Sequence, residues 1–441
     1  MSEENKSVDC LQEPFSRIGY KMHLLLQVGK ALMESGADTD RIVRDMRRTA
    51  AYMGIPQDHI HQHTMYTTLM LNVHDDEHSY TEFCKCKKHG VNMTTLSAVS
   101  KLTWKALARN YTLESFERHL IRIKGIPQEY TVTQTALGAG AACGGFCVLF
   151  GGSLLDFFLT ALCACFGFYV RRLCNAYAFN QYAAISITAF SATMLAWAMQ
   201  FPLGQLHWYP LIACTLFLVP GIPLINAIDD FLNNFIVSGL TRAIHTLLVV
   251  GSMTFGIMLA VRLGQVEDFT AVSLSPHSLY LAQAIAAAIS AMGFSIIFNI
   301  PRRLLPVVGA GGIITVMLRN ICVMELGTSQ AFGSFLGAAV VGLMALKAIH
   351  VFHAPNVVLT IPSAIPMIPG VLLYRLLFAL LNISTVTPAA LLDGLRSGVE
   401  AVTIIIGIAV GVAIPNIFSH RHIEKVKQKR VARLLALRDE D

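Results

Sequence analysis

The sequence predicts an α-helical polytopic membrane protein. About ten transmembrane helices form a five-plus-five inverted repeat behind a small N-terminal α+β soluble domain. Three observations predict this. The 441 residues are 54% hydrophobic and only 14% charged, with a mean hydropathy of +0.54, the composition of a membrane protein. The charge is partitioned: residues 1–130 hold 17 of the 34 Lys and Arg and 16 of the 28 Asp and Glu, while 131–419 hold 10 and 8. The same helix-breaking pair stands twice in the apolar region, as Pro220–Gly221 and Pro369–Gly370. The expected parts are a soluble domain, 1–130, two five-helix halves, 131–270 and 271–419, and a basic tail, 420–441.

The soluble domain comes first. "MSEENKSVDCLQEPFSRIGY" is acidic and polar and lacks the basic start and apolar core of a signal peptide, so a cytoplasmic location is expected. Residues 16–34 place Ile18, Met22, Leu25, Leu26, Leu32 and Met33 at helical spacing. Asp38 or Thr39 is a good N-cap for a second helix ending near Gly54. "HQHTMYTTLMLNV" alternates and reads as one strand, "HSYTEFCKCK" as its hairpin partner. Helices near 94–109 and 112–124 close the domain.

"HIHQH" places His59, His61 and His63 at strand spacing, where alternate residues share a face. With His74, Asp75, Asp76 and His78 a hairpin away, a hydrolytic zinc site in a membrane-anchored enzyme is one reading. A solvated strand edge is the better one, since no H-E-x-x-H helix is present. His61 and His63 are weak candidates, and no metal is assigned. Cys84 and Cys86 form a lone C-x-C, too little for a zinc site. No cofactor and no nucleic-acid partner are expected. "GAGAACGG" and "VVGAGG" lack a following Lys-Ser/Thr and read as close helix packing, which disfavours an ATP-driven pump.

Apolar windows of spanning length occur near 133–150, 153–170, 181–200, 208–227, 237–262, 279–298, 304–321, 330–350, 356–381 and 396–418. The basic tail belongs in the cytoplasm, and ten spans put the soluble domain there too. On this count Arg171, Arg172, Arg302 and Arg303 lie inside, and Arg262 and Arg319 outside.

The windows repeat. "GFCVLF" at 145–150 matches "GFSIIF" at 293–298, and Arg171 and Cys174 match Arg319 and Cys322 at the same shift of 148. Gln181 matches Gln330, and "VPGIPLIN" at 219–226 matches "IPGVLLYR" at 368–375, at a shift of 149. Five spans per half reverse the second half, the arrangement of many secondary transporters, whose sites sit on discontinuous helices between repeats. Broken backbone at membrane depth is tolerated only inside protein or beside water. A packed proline kink explains one break less strainedly than two. Beside the breaks stand Pro223, Asn226, Tyr374 and Arg375. Asp229 and Asp230 follow the first, and His245 falls opposite Glu400. Ionisable groups in spans are costly and face a cavity or partner, so these four are proton-coupling candidates.

"ALMESGADTDRIVRDMRRTAAYMGI", "LVPGIPLINAIDDFLNN", "IIFNIPRRLLP" and "AIPMIPGVLLYR" resemble the threonine/serine exporter family in its fused form, with both membrane halves in one chain. The resemblance implies a ten-span exporter of threonine and serine in the cytoplasmic membrane, driven by the proton motive force. Pro220, Gly221, Pro223, Asn226, Asp229, Asp230, Pro369, Gly370, Tyr374 and Arg375 are the positions matching its motifs. The alternative cargo is a dicarboxylate such as succinate, which similar two-protein systems are implicated in exporting. Few cations stand deep in the spans, Arg375 and then Arg242 or Arg396, which tilts the reading toward amino acids. Expected partners are the cargo, protons and lipid, with a homo-oligomer left open.

Overall fold

The computed structural model describes residues 14–74, 78–87, 89–200, 207–265, 280–352, 355–384 and 386–439. They form two compact units. One comprises the chain to Pro127 with Asp230–Thr241 and the segment from Ser419; the other comprises Gln128–Asp229 and Arg242–Phe418.

In the first unit, α1 (Pro14–Met33) and α2 (Thr39–Tyr52) precede β1 (Ile60–Thr64), β2 (Thr68–His74) and β3 (Ser79–Lys85), and α3 (Met93–Arg109) and α4 (Leu113–Lys124) follow. The sheet is antiparallel in the order β1-β2-β3. Leu69, Leu71 and Val73 of β2 are buried, while Met70, paired with Phe83 of β3, is exposed on the other face. The core adds Leu25, Leu26 and Leu32 of α1, Ile42 and Met46 of α2, Val99 of α3 and Phe116 of α4. Gly29 lets α1 close on this core: a Cβ there would meet Sδ of Met46 at 2.5 Å and Leu69 at 2.9 Å.

The single strand expected over "HQHTMYTTLMLNV" is two strands. Met65 and Thr68 exchange backbone hydrogen bonds across Tyr66–Thr67 and turn the chain back. A two-residue turn keeps the period-2 alternation in step on both sides, and no Gly or Asn marks it. The second helix starts as expected. Asp38 caps α2 by accepting from Arg41 N at 2.7 Å.

The second unit repeats one series of elements. The first pass is α5 (Val132–Leu149), α6 (Leu154–Ala176), α7 (Gln181–Gln200), α8 (Trp208–Ala213), α9 (Gly221–Leu232) and α10 (Ile236–Leu263). The second is α11 (Tyr280–Ile297), α12 (Leu305–Met324), α13 (Gln330–Phe352), α14 (Asn356–Ala364), α15 (Gly370–Leu381) and α16 (Pro388–Asp439). The ends of α9 and α10 that flank their loop, Asp230–Thr241, belong to the first unit. Among the described residues eight helices are long and apolar enough to cross a membrane, or ten if the bent pairs α8–α9 and α14–α15 each count as one span.

The first helices of the two series, α5 and α11, pack together through small residues. A Cβ on Gly145 would meet Ala286 O at 2.7 Å, and one on Gly293 would meet Gly138 O at 2.5 Å. At the repeat shift of 148, Gly145 corresponds to Gly293 and Gly138 to Ala286, so each contact is the image of the other. Numbers rise along α5 as they fall along α11, so the two helices run antiparallel. Close backbone approach is how helices without a hydrophobic driving force bind one another in lipid.

The loop motif "FNIPRR" braces the same end of the pair. Asn299 adopts φ 55°, a left-handed conformation Asn tolerates, and its Oδ1 accepts from Glu129 N at 2.8 Å. Tyr130 donates to Ile300 O at 2.7 Å, and Arg302 donates to Glu129 O and to Gln134 at 3.1 Å.

Candidate functional site

The breaks are built alike. Val219 (φ −63°, ψ 123°) and Ile368 (φ −64°, ψ 127°) take the chain out of helix. Pro220 and Pro369 follow, and α9 and α15 restart at Gly221 and Gly370 after bends of 60° and 55°. Pro223 falls in the first turn of α9, where a missing N–H leaves no intrahelical bond unmade. Each break therefore sets a fresh helix N-terminus at the bend of an apolar helix pair, with amides and a partial positive charge that suit an anion.

The breaks meet. Gly221 faces Ile368 and Ile365, and Gly370 faces Leu216 and Val219. At the shift of 149 these contacts map onto each other. A small apolar cavity of about 10 Å³ lies there, lined by Phe146, Leu216, Val219 and Gly221 with their repeat equivalents Phe294, Ile365, Ile368 and Gly370. Phe146 and Phe294 meet edge to face at 5.8 Å.

Beside the second break a cavity of about 450 Å³ opens among the ends of α5, α12 and α13, the break itself, α15 and α16. That volume suits a small-molecule site. Pro369 and Gly370 line it, with Arg319, Gln330, Arg375 and Glu400 as its polar groups. Nε and Nη2 of Arg375 are buried with no hydrogen-bond partner among the described residues. Orphaned guanidinium donors are costly, and these form the edge that grips a carboxylate. Glu400 and Asp393 are near enough to act on the charge of Arg375.

Arg319 lines the same cavity. Its Nε and Nη2 donate to Asn320 Oδ1 at 3.1 and 3.0 Å. The Asn320 amide donates in turn to Gln283 Oε1 of α11, and both amide side chains are buried. Sequence reasoning paired Arg319 with Arg171 and Gln330 with Gln181 but gave none of them a role. Arg319 stands within α12 against the cavity.

The remaining candidates are dispersed. Tyr374 is buried beside Phe378, with ring centroids 5.9 Å apart, and Asn226 is buried in α9. His245 Nδ1 lies 3.0 Å from the Tyr182 hydroxyl, and His245 is not among the groups lining the large cavity. Asp229 is half-buried. Asp230, in the first unit, is fully buried: Oδ1 accepts from Thr39 N and Oδ2 from Thr39 Oγ1, both at 2.9 Å, and Thr39 Oγ1 lies 2.8 Å from Ser238 Oγ. Its carboxylate thus caps the N-terminus of α2.

On β1, His61 and His63 are exposed, and His61 stacks on His74 at 5.0 Å. Asp75 and Asp76 lie outside the described residues. Among the described residues no three His, Cys, Asp or Glu side chains are placed to hold a metal. Burial pushes the Cys86 thiol up to about 12, away from thiolate chemistry.

Apolar helices of spanning length in two matching series, bent where the series meet, define a polytopic helical membrane protein. The family model described as "Putative threonine/serine exporter" matches residues 23–264, and the one described as "Threonine/Serine exporter, ThrE" matches 283–418. The chain belongs to the threonine/serine exporter family. It is 23% identical over 382 residues to the "Threonine/serine exporter" of Corynebacterium glutamicum, covering 84% of this chain and 78% of that protein. It is 26% identical over 248 residues to the "Probable succinate transporter subunit YjjP" of Escherichia coli (strain K12), covering 54% of this chain and 92% of that protein. The protein of the same name from Klebsiella aerogenes is 26% identical over 240 residues, covering 54% and 91%. No solved structure matches.

Proposed function

We propose that the protein is a secondary exporter of threonine and serine across the cell membrane, coupled to the proton gradient, with both termini cytoplasmic. The observation that carries this is the cavity at the second break, where Arg375 presents a donor edge with no partner among the described residues and Glu400 lines the same space. A zwitterion needs a cation for its carboxylate and an acid for its ammonium, and this cavity has both. The antiparallel packing of α5 on α11 and the reciprocal contacts at the breaks support an inverted repeat, in which one half rocks against the other about this centre. Glu400 is the leading proton-coupling residue because it lines the cavity; His245 and Asp229 remain candidates away from it.

A second reading is a dicarboxylate cargo. Two guanidiniums, Arg319 and Arg375, line the cavity, so the shortage of cations that favoured amino acids does not hold at this site. Two relatives carry succinate in their names. Proteoliposomes loaded with labelled threonine, serine or succinate under an imposed pH gradient separate the readings. Threonine efflux that follows the gradient supports the first; succinate efflux alone supports the second. Threonine flux indifferent to the gradient removes the coupling, and no flux of any of the three removes the export reading.

A further inference from the structure

Resting on the reading of the large cavity as the cargo site, we infer that Arg319 is a cargo-binding residue selecting for negative charge, and that Asn320 is its positioning residue. The two cavity cations differ in their surroundings. Arg375 has Glu400 and Asp393 acting on its charge. Arg319 has, among the described residues, only the neutral Asn320 side chain as a hydrogen-bond partner, and no carboxylate pairs with it.

A carboxylate at position 320 would hold the guanidinium equally well but would cancel its charge. An amide oxygen orients it and leaves the charge intact. Nε and Nη2 are turned toward Asn320, so the Nη1 side is the part left for a ligand. Asn320 is itself fixed by Gln283, and both are buried between apolar helices. Burying two amides there is costly unless they are hydrogen-bonded, and here the Asn320 NH2 donates to Gln283 while its carbonyl accepts from Arg319.

This relay belongs to one half. At the shift of 148, Arg171 corresponds to Arg319, but Arg172 stands for Asn320 and Thr135 for Gln283. The residue types that hold Arg319 occur in the second half and not at the matching positions of the first. A general packing need of the repeated helices would have put them in both.

The test measures binding of labelled threonine and succinate to the purified full-length protein, and flux of each in proteoliposomes. Variants are Arg319→Gln, Arg319→Lys, Asn320→Asp and Asn320→Ala, each checked for monodisperse elution. Asn320→Asp is the decisive one, because it is isosteric and Gln283 can turn its amide to donate to it. We expect Arg319→Gln and Asn320→Asp to raise Kd for the carried ligand at least tenfold, about the loss of one charge-assisted bond. The loss should be larger for succinate than for threonine. Arg319→Lys should retain part of the binding, and Asn320→Ala should weaken both ligands less than Asn320→Asp does. A merely structural role leaves Asn320→Asp within twofold of the wild type for both ligands, and that result overturns the inference while the export reading stands. A wild-type protein that neither binds nor moves either ligand overturns both.

Discussion

Gly145 of α5 and Gly293 of α11 each press on the backbone of the other's helix. A Cβ on Gly293 would lie 2.5 Å from Gly138 O and 2.6 Å from Ala142 N; one on Gly145 would lie 2.7 Å from Ala286 O. Backbone atoms cannot swing aside as a side-chain tip can, so the helices must part. Gly293→Ala is expected to cost about 1–3 kcal/mol, the usual cost of overpacking. Gly251→Ala in α10 meets nothing within 4 Å and is expected to be neutral or slightly stabilising. Thermal unfolding of the two variants in the same detergent, followed by size-exclusion recovery, compares them directly. Equal midpoints would refute the close α5–α11 contact.

Asp230 holds the first turn of α2 through two hydrogen bonds to Thr39. Asp230→Ala takes the acceptor from the buried Thr39 N–H, while the Thr39 hydroxyl keeps Ser238. An orphaned buried donor costs about 1–3 kcal/mol. Hydrogen exchange at the amides of Thr39, Asp40 and Arg41 should speed up, with those of α4 unchanged. Thr39→Val should cost less, since the bond from Thr39 N to Asp230 Oδ1 survives. If both variants exchange like the wild type, Asp230 does not carry this cap, and a proton role regains weight.

Asp38 makes the first unit sensitive to acid. Burial raises its carboxyl, but the charges of Arg41 and Arg44 and the bonds from Arg41 outweigh this and hold it below its ordinary value of 3.8. A carboxyl lowered in the folded state binds its proton less readily there than when unfolded. Its stabilising contribution is therefore full above pH 3.8 and is lost as pH falls from there through the folded value. Asn remains a good N-cap, so Asp38→Asn should keep the helix start, lose the acid-dependent part, and cost about 1 kcal/mol at neutral pH. Acid unfolding monitored by Trp104 fluorescence should show a shallower dependence in the variant. An unchanged slope below pH 4 would place the acid sensitivity elsewhere.

The parts that were legible in the sequence are those that local chemistry dictates. Asp38 announced a helix start because its short acceptor reaches back to the next turn. The two Pro-Gly pairs announced breaks because one residue lacks a donor and the other lacks a Cβ. The turn at Tyr66–Thr67 was hidden because alternation runs through it unchanged. Arg319 was hidden for a different reason. A cation near a helix end looks the same in sequence whether it meets headgroups or a cavity. Only the tertiary packing brings Gln283 of α11 to Asn320 and sets Arg319 and Arg375 on one cavity. The contact of Asp230 with Thr39 was hidden too: the two lie 191 residues apart, and no local pattern encodes that pairing.

Glu400 is the one proton-coupling candidate that lines the cavity, so neutralising it should separate carriage from coupling. In Glu400→Gln the cavity keeps its size and a polar group, but it loses the only acid among its described lining residues. The charge of Arg375 then loses one of its two balancing acids, with Asp393 remaining. Exchange of cargo across proteoliposomes without a gradient should persist at a reduced rate. Net efflux driven by an imposed pH gradient should fall at least tenfold, because no group at the site can release and rebind the proton. His245→Gln, altering a residue that lies beside Tyr182 and away from the cavity lining, should lower the driven rate less than fivefold. The decisive quantity is the ratio of driven efflux to exchange in each variant. A ratio that collapses for His245→Gln and holds for Glu400→Gln moves the coupling site to the first half.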